Sequence, residues 1–232
     1  MIYITGDTHG DFSRFFQLKD NIHLQSNDMV IILGDAGLNY FGYRKDRKLK
    51  QKVNNLGCTF FCIHGNHEKR PKDCMYYKTK EFYSGIVWYE EEFPNLLFAK
   101  DGEIYRIGNY DCIVLGGAYS IDKEYRLITG QKWFWNEQPS DDIKAYVSQQ
   151  LQNRNHQIDI VLSHTCPLKY EPTEVFLRGI DQDTVDKSTE IWLDKVESTL
   201  TYKKWYCGHY HITKAIDKIQ FLYEDIYMFN VD

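Results

Sequence analysis

CTFFCIHGNHE, residues 58–68, is an apolar run that stops at Gly65 and gives way to Asn66, His67 and Glu68. Such a short run, bounded by a glycine, reads as a buried strand. Two earlier stretches repeat the construction. MVIILGD, residues 29–35, ends in Gly34-Asp35, and IYITGDTHG, residues 2–10, ends in Gly6-Asp7 with His9 two places on. In α/β sheets, sites form outside the carboxyl ends of the strands, so three such ends can converge on one place. Farther along, DIVL at 159–162 runs into Ser163-His164, and KWYC at 204–207 runs into Gly208-His209-Tyr210-His211. Glycine at these ends permits a sharp turn and a close backbone approach. The one-residue gap between Asp7 and His9, and between His209 and His211, lets both side chains of a pair point to one side of an extended backbone.

The rest of the chain is read against these strands. Asp11 or Ser13 caps an expected helix over Phe12–Lys19, and the Lys-rich stretch 43–55 reads as a surface helix. Residues 70–94 are mixed and read as loop-rich. Leu96–Phe98, Glu103–Ile107 and Asp111–Leu115 read as strands of a hairpin or meander, with turns at Gly102 and Gly108-Asn109. Ser140 opens a helix to about Asn153, a second spans about Thr184–Leu200, and two or three strands follow Cys207. No repeat, low-complexity tract or Pro/Gly linker interrupts residues 1–232, so one domain is expected.

Composition narrows the class. The chain has 232 residues, 43% hydrophobic and 26% charged, which suits a globular domain with a substantial core. Its net charge of −5 disfavours strong general nucleic-acid binding, although bound cations would add positive charge that residue counting misses. The six cysteines form no C-x-x-C pair and read as buried free thiols in a reduced compartment. No targeting segment or apolar run of transmembrane length is visible, so a cytoplasmic protein without membrane association is expected.

The five strand ends offer two carboxylates, one amide oxygen and five imidazoles, a set suited to borderline divalent metals such as Mn²⁺, Fe²⁺, Ni²⁺ or Zn²⁺. The ordered series GDTHG, GD, GNHE, SH and GHYH, spanning Asp7 to His211, resembles the calcineurin-like metallophosphoesterases. The resemblance implies a four-layer α/β/β/α sandwich of two mixed sheets. It also implies two divalent metal ions, with Mn²⁺ first among the candidates. Asp7, His9 and His211 would hold one ion, Asn66, His164 and His209 the other, and Asp35 would bridge them. His67 would be the catalytic histidine beside the scissile phosphate, donating to a phosphate oxygen or protonating the leaving group. Paired cations acidify a shared water for in-line attack at phosphorus. Many relatives carry a second Asp shortly after the Gly-Asp motif. Here the stretch reads GDAGLNYFG, with no acid until Asp46, so what orients His67 is not legible.

Taken singly, each motif has a bland reading: Asp7 and Asp35 as turn formers, His164 as a loop histidine. The ordered set is what carries the assignment. His23, His64 and His156 have no place in it, and Glu68 reads as a supporting residue. The basic run Arg44–Lys52 reads as a solvated helix face rather than a phosphate-binding surface. Residues 116–140 resemble a segment of a bacterial and phage branch of the family. There Tyr119, Arg126, Trp133 and Trp135 could meet substrate, Arg126 by clamping a phosphate and the tryptophans by stacking a base or by anchoring the loop.

The expected activity is hydrolysis of a small phosphoester, a nucleotide or a nucleic-acid end. One alternative is a protein phosphatase, against which the missing second Asp and the absent Arg-rich continuation count. Another is a metal-poor scaffold protein of the same fold, which should have lost ligand residues that this chain retains.

Overall fold

The structure, a computed structural model, describes residues 1–16 and 24–230. Among the described residues, thirteen strands form two mixed sheets. The first sheet has the order β13-β1-β2-β3-β6-β5-β4. Its parallel centre is β1 (Ile2–Thr5), β2 (Met29–Ile32), β3 (Thr59–Cys62) and β6 (Phe93–Ala99), and its antiparallel flanks are β13 (Tyr227–Met228), β5 (Gly85–Glu90) and β4 (Lys78–Phe82). The second has the order β11-β12-β10-β9-β8-β7. Here β12 (Ile219–Phe221), β10 (Lys204–Cys207), β9 (Ile160–Ser163) and β8 (Tyr110–Leu115) run parallel, while β11 (Lys214–Ile216) and β7 (Ile104–Ile107) are antiparallel edges.

Strand alternation sorts the side chains into three apolar layers. Ile4, Ile31, Phe61 and Leu97 from the first sheet meet Tyr105, Val114, Ile160 and Leu162 from the second in the central core. On the outer face of the first sheet, Val30, Ile32, Phe60 and Cys62 pack against Phe12, Phe15 and Val53; Val53 belongs to α1 (Tyr43–Asn54). On the outer face of the second, Ile113, Val161 and Trp205 pack under Val147 and Leu151 of α3 (Asp141–Asn153) and Leu193 and Val196 of α4 (Ser188–Thr199). The result is the helix–sheet–sheet–helix sandwich expected.

Three readings of the sequence need correction. Residues 70–94 are not loop-rich: they contain the β4–β5 hairpin, whose strands mix charged and aromatic residues at a sheet edge and so lack an apolar run. The expected meander is divided, because β6 belongs to one sheet and the β7–β8 hairpin to the other, with Gly102 at the crossing. A short helix, α2 (Lys123–Thr129), occupies the segment 116–140; none of its residues is buried, so it carries no apolar periodicity. The expected helix at Phe12–Lys19 is helical over residues 13–16, and its remainder, with His23, lies outside the described residues. All six cysteines are free, five of them buried.

Candidate metal centre and catalytic cleft

Five strand ends deliver the site. Asp7 follows β1, Asp35 follows β2 and Asn66 follows β3; His164 follows β9, and His209 and His211 follow β10. The two sheets therefore contribute from opposite sides. Close packing of these loops requires glycine. A Cβ on Gly34, at φ +98°, would sit 2.0 Å from His164 Nδ1, and one on Gly65 would sit 2.0 Å from Asp35 Oδ1. These glycines make room for ligand-bearing side chains, rather than for the ions themselves.

The ligand atoms converge in two overlapping groups, Asp7–His9–His211 and Asp7–Asp35–His164. In the first, His9 Nε2 lies 2.9 Å from His211 Nε2, and Asp7 Oδ2 lies 3.3 Å from His211 Nε2 and 3.7 Å from His9 Nε2. In the second, Asp35 Oδ2 lies 3.7 Å from His164 Nε2, and it also lies 3.8 Å from His9 Nδ1. Both carboxylates thus stand between the groups. Asn66 joins the second through Oδ1, 2.8 Å from His164 Nε2. His209 approaches it as a ring, its centroid 5.0 Å from that of His164.

Two observations show that this donor set fits cations. Asp7 Oδ2 is buried without a hydrogen-bond partner, an arrangement that is costly unless a cation supplies one. The Leu33 carbonyl accepts from His164 Nδ1 at 2.8 Å, which leaves the other ring nitrogen, Nε2, directed at Asn66 Oδ1 and Asp35 Oδ2 as a cation ligand would be. Ligand atoms of this kind facing one another across a buried space call for a positive charge between them.

The surroundings fix these groups. The Asn66 amide donates to Ser120 Oγ at 2.9 Å, and Ser120 Oγ donates to Glu137 Oε2 at 2.5 Å. That chain keeps the Asn66 oxygen turned to His164. Asp35 Oδ1 accepts from the His67 backbone N–H, and Asp7 Oδ1 from that of His209, at 2.8 and 2.9 Å. Arg14 Nη2 donates to the Asp7 carbonyl at 2.8 Å. Burial by itself would raise the Asp7 carboxyl, but His164, His211 and His9 around it hold it well below the usual range. The neighbouring Asp7 carboxylate raises His211, whereas burial lowers His209 and His67. Burial and the neighbouring Asp35 push Glu68 up to about 8. Arg14, Ser120 and Glu137 carry no signal in the sequence, since the contacts that matter span many residues.

His67 sits between two clefts. One, of about 490 Å³, opens from Asp35, Asn66, His209 and His211 and is walled by Tyr119, Phe176 and Tyr210. The other, about 230 Å³, lies toward Tyr40, Phe41 and Arg126. Arg126 Nη2 is 3.3 Å from His67 Nε2; Arg126 Nη1 donates to Tyr40 Oη at 3.1 Å and the Lys132 carbonyl at 3.4 Å; its Nε pairs with Asp122 Oδ2 at 2.7 Å. With Nη1 occupied and Nε buried against Asp122, no free fork remains for a bidentate phosphate clamp. Trp135 is 78% exposed and Trp133 lies beneath Lys123; neither lines either cleft. His64 is buried behind the site and His156 lies in a turn, away from the ligands.

Two helix-flanked mixed sheets, with histidines and carboxylates gathered at the carboxyl ends of their parallel strands, define an α/β protein with a candidate metal centre. The sequence matches the calcineurin-like phosphoesterase family over residues 1–213, and the chain belongs to that family. It is accordingly a metal-dependent phosphoester hydrolase. No curated protein sequence matches it significantly. Among solved structures, TT1561 of Thermus thermophilus aligns over 100% of this chain and 98% of its own, with a TM-score of 0.51 and 11% identity. Another crystal structure aligns over 95% of this chain and 88% of its own, with a TM-score of 0.52 and 12% identity. At such identities the likeness is one of fold. Among the described residues, no helix is long and apolar enough to cross a membrane.

Proposed function

We propose that this phosphoesterase works as a single domain with two divalent cations, Mn²⁺ foremost, and hydrolyses a phosphoester of a nucleotide, a cyclic nucleotide or a nucleic-acid end. Asp7, His9 and His211 would hold one cation, Asn66, His164 and His209 the other, and Asp35 would serve both. When bound, such cations supply an acidified water and offset the charge of the phosphate. The residues around them orient the ester: the loops after β1, β2 and β10 bring carboxylates and imidazoles to one side of the phosphate, and His67 offers an N–H to a phosphate or leaving-group oxygen.

The observation that carries the substrate reading is the 490 Å³ cleft that begins at the ligands and is walled by Tyr119, Phe176 and Tyr210. Its size suits one nucleoside. Its aromatic walls suit a base, and Glu171, Asp122 and Asp186 along it outnumber Lys187 and oppose a long polyanion. The test is hydrolysis of p-nitrophenyl phosphate and bis-p-nitrophenyl phosphate with added Mn²⁺, alongside nucleoside monophosphates, cyclic nucleotides and a phosphopeptide. Turnover of nucleotides above the phosphopeptide is expected. Preference for the phosphopeptide would replace this reading with that of a protein phosphatase, and no turnover with no bound metal would leave a scaffold.

A further inference from the structure

We infer that Asp122 and Arg126, on and beside the short exposed helix α2, are positioning residues for His67, doing from a distant segment what no acid near Asp35 can do; the inference rests on the role given to His67 above. The stretch after Gly34-Asp35 holds no carboxylate until Asp46, and Asp46 is spent on the backbone N–H groups of Phe41 and Gly42 at 2.6 and 2.8 Å. Arg126, by contrast, is anchored on three sides. Asp122 faces its Nε, Tyr40 Oη and the Lys132 carbonyl accept from Nη1, and its side chain is only 12% exposed. The remaining nitrogen, Nη2, stands 3.3 Å from His67 Nε2.

The chemistry of that contact has one sense. A guanidinium has N–H donors and no acceptor, so Nε2 of His67 must be the acceptor and the ring proton must lie on Nδ1. Arg126 thus fixes both the orientation and the tautomer of His67. A phosphate clamp would need two free parallel N–H groups; Nε is buried, so at most one accessible N–H remains, on Nη2 itself.

The first test needs neither metal nor substrate. Long-range ¹H–¹⁵N NMR of the metal-free protein at pH 8, where an ordinary histidine is neutral, should show His67 protonated at Nδ1 in the wild type and shifted toward the Nε2–H form in Arg126→Ala. A wild-type proton on Nε2, or a tautomer indifferent to Arg126→Ala, would overturn the inference. The second test is a cycle of Arg126→Ala, His67→Ala and the double variant assayed with Mn²⁺. Arg126→Ala should lower kcat roughly tenfold to a hundredfold, the scale of a misplaced catalytic group, with KM nearly unchanged. The double variant should be no slower than His67→Ala alone. Losses that multiply, or a raised KM at constant kcat, would make Arg126 a substrate-binding residue instead. Asp122→Asn, which keeps the shape of the helix, should show a smaller kcat loss that vanishes in the Arg126→Ala background. An inactive wild type would sink the proposed function while leaving the tautomer measurement to decide this one.

Discussion

His9, Asp35, His209 and His211 all adopt left-handed backbone, with φ of 48°, 47°, 68° and 52°. Side chains other than glycine rarely take this region, at a cost of about 1–2 kcal/mol each. Four of the seven candidate ligands therefore sit in strained turns, a pattern that marks functional sites. Their identities were legible in the sequence because carboxylate and imidazole types recur after apolar strands. Their conformation was not, because only the glycines announce positive φ by type. His211→Gly should abolish the first cation site by elemental analysis while keeping the turn, since glycine takes this backbone conformation without strain. Asp35→Asn should abolish turnover with the fold intact by circular dichroism; near-normal activity with Mn²⁺ would sink the paired-cation assignment. His67→Ala should cut the rate by roughly a hundredfold or more, the scale of general acid–base assistance, with bound metal nearly unchanged by elemental analysis.

At the scale of elements, the parallel centres of both sheets were readable because strands buried on both faces are continuous apolar runs. The edges were not. β4 (KTKEF) is mostly exposed and charged, and α2 buries nothing, so neither carries the periodicity that identifies an element. The partner of His67 fell within α2, which is why the sequence left that histidine without support. Ser140 was readable as a cap, and its Oγ accepts from the Ile143 N–H to open α3. A less visible tie joins the sheets. Arg70, two residues past His67's neighbour Glu68, forms a buried ion pair with Asp101 at the end of β6, and Asp101 Oδ1 accepts from Gly116 N–H at the end of β8. Arg70→Ala leaves Asp101 buried and unpaired and should destabilise the protein by about 3–5 kcal/mol in urea titration.

For the molecule as a whole, pH should act through buried acids that no cation would reach first. Burial pushes Glu190 up to about 7 despite the Thr165 hydroxyl that donates to it, against an ordinary value of 4.5. Between those values the unfolded chain is ionised at this position while the folded one holds its proton, so stability falls as pH rises. The slope approaches about 1.4 kcal/mol per pH unit and levels off above about 7. Glu190→Gln should flatten that decline in the metal-free protein, as followed by melting temperature from about pH 4.5 to 7; an unchanged slope would show that Glu190 is ionised in the fold. Divalent cations should raise the melting temperature by mass action, an effect reversed by a chelator.

The backbone N–H of His209 reaches Asp7 Oδ1 across 202 residues of chain. A cation gripped by both loops would close a ring of that length, as a disulfide does in a secreted protein. Constraining so large a loop in the unfolded chain is worth about 5 kcal/mol in the chain-entropy picture. The cluster would then be a removable crosslink, insensitive to reductant and opened by a chelator. Two fragments of this chain, divided in the exposed turn before β9, would be held together by the same ions that serve the reaction.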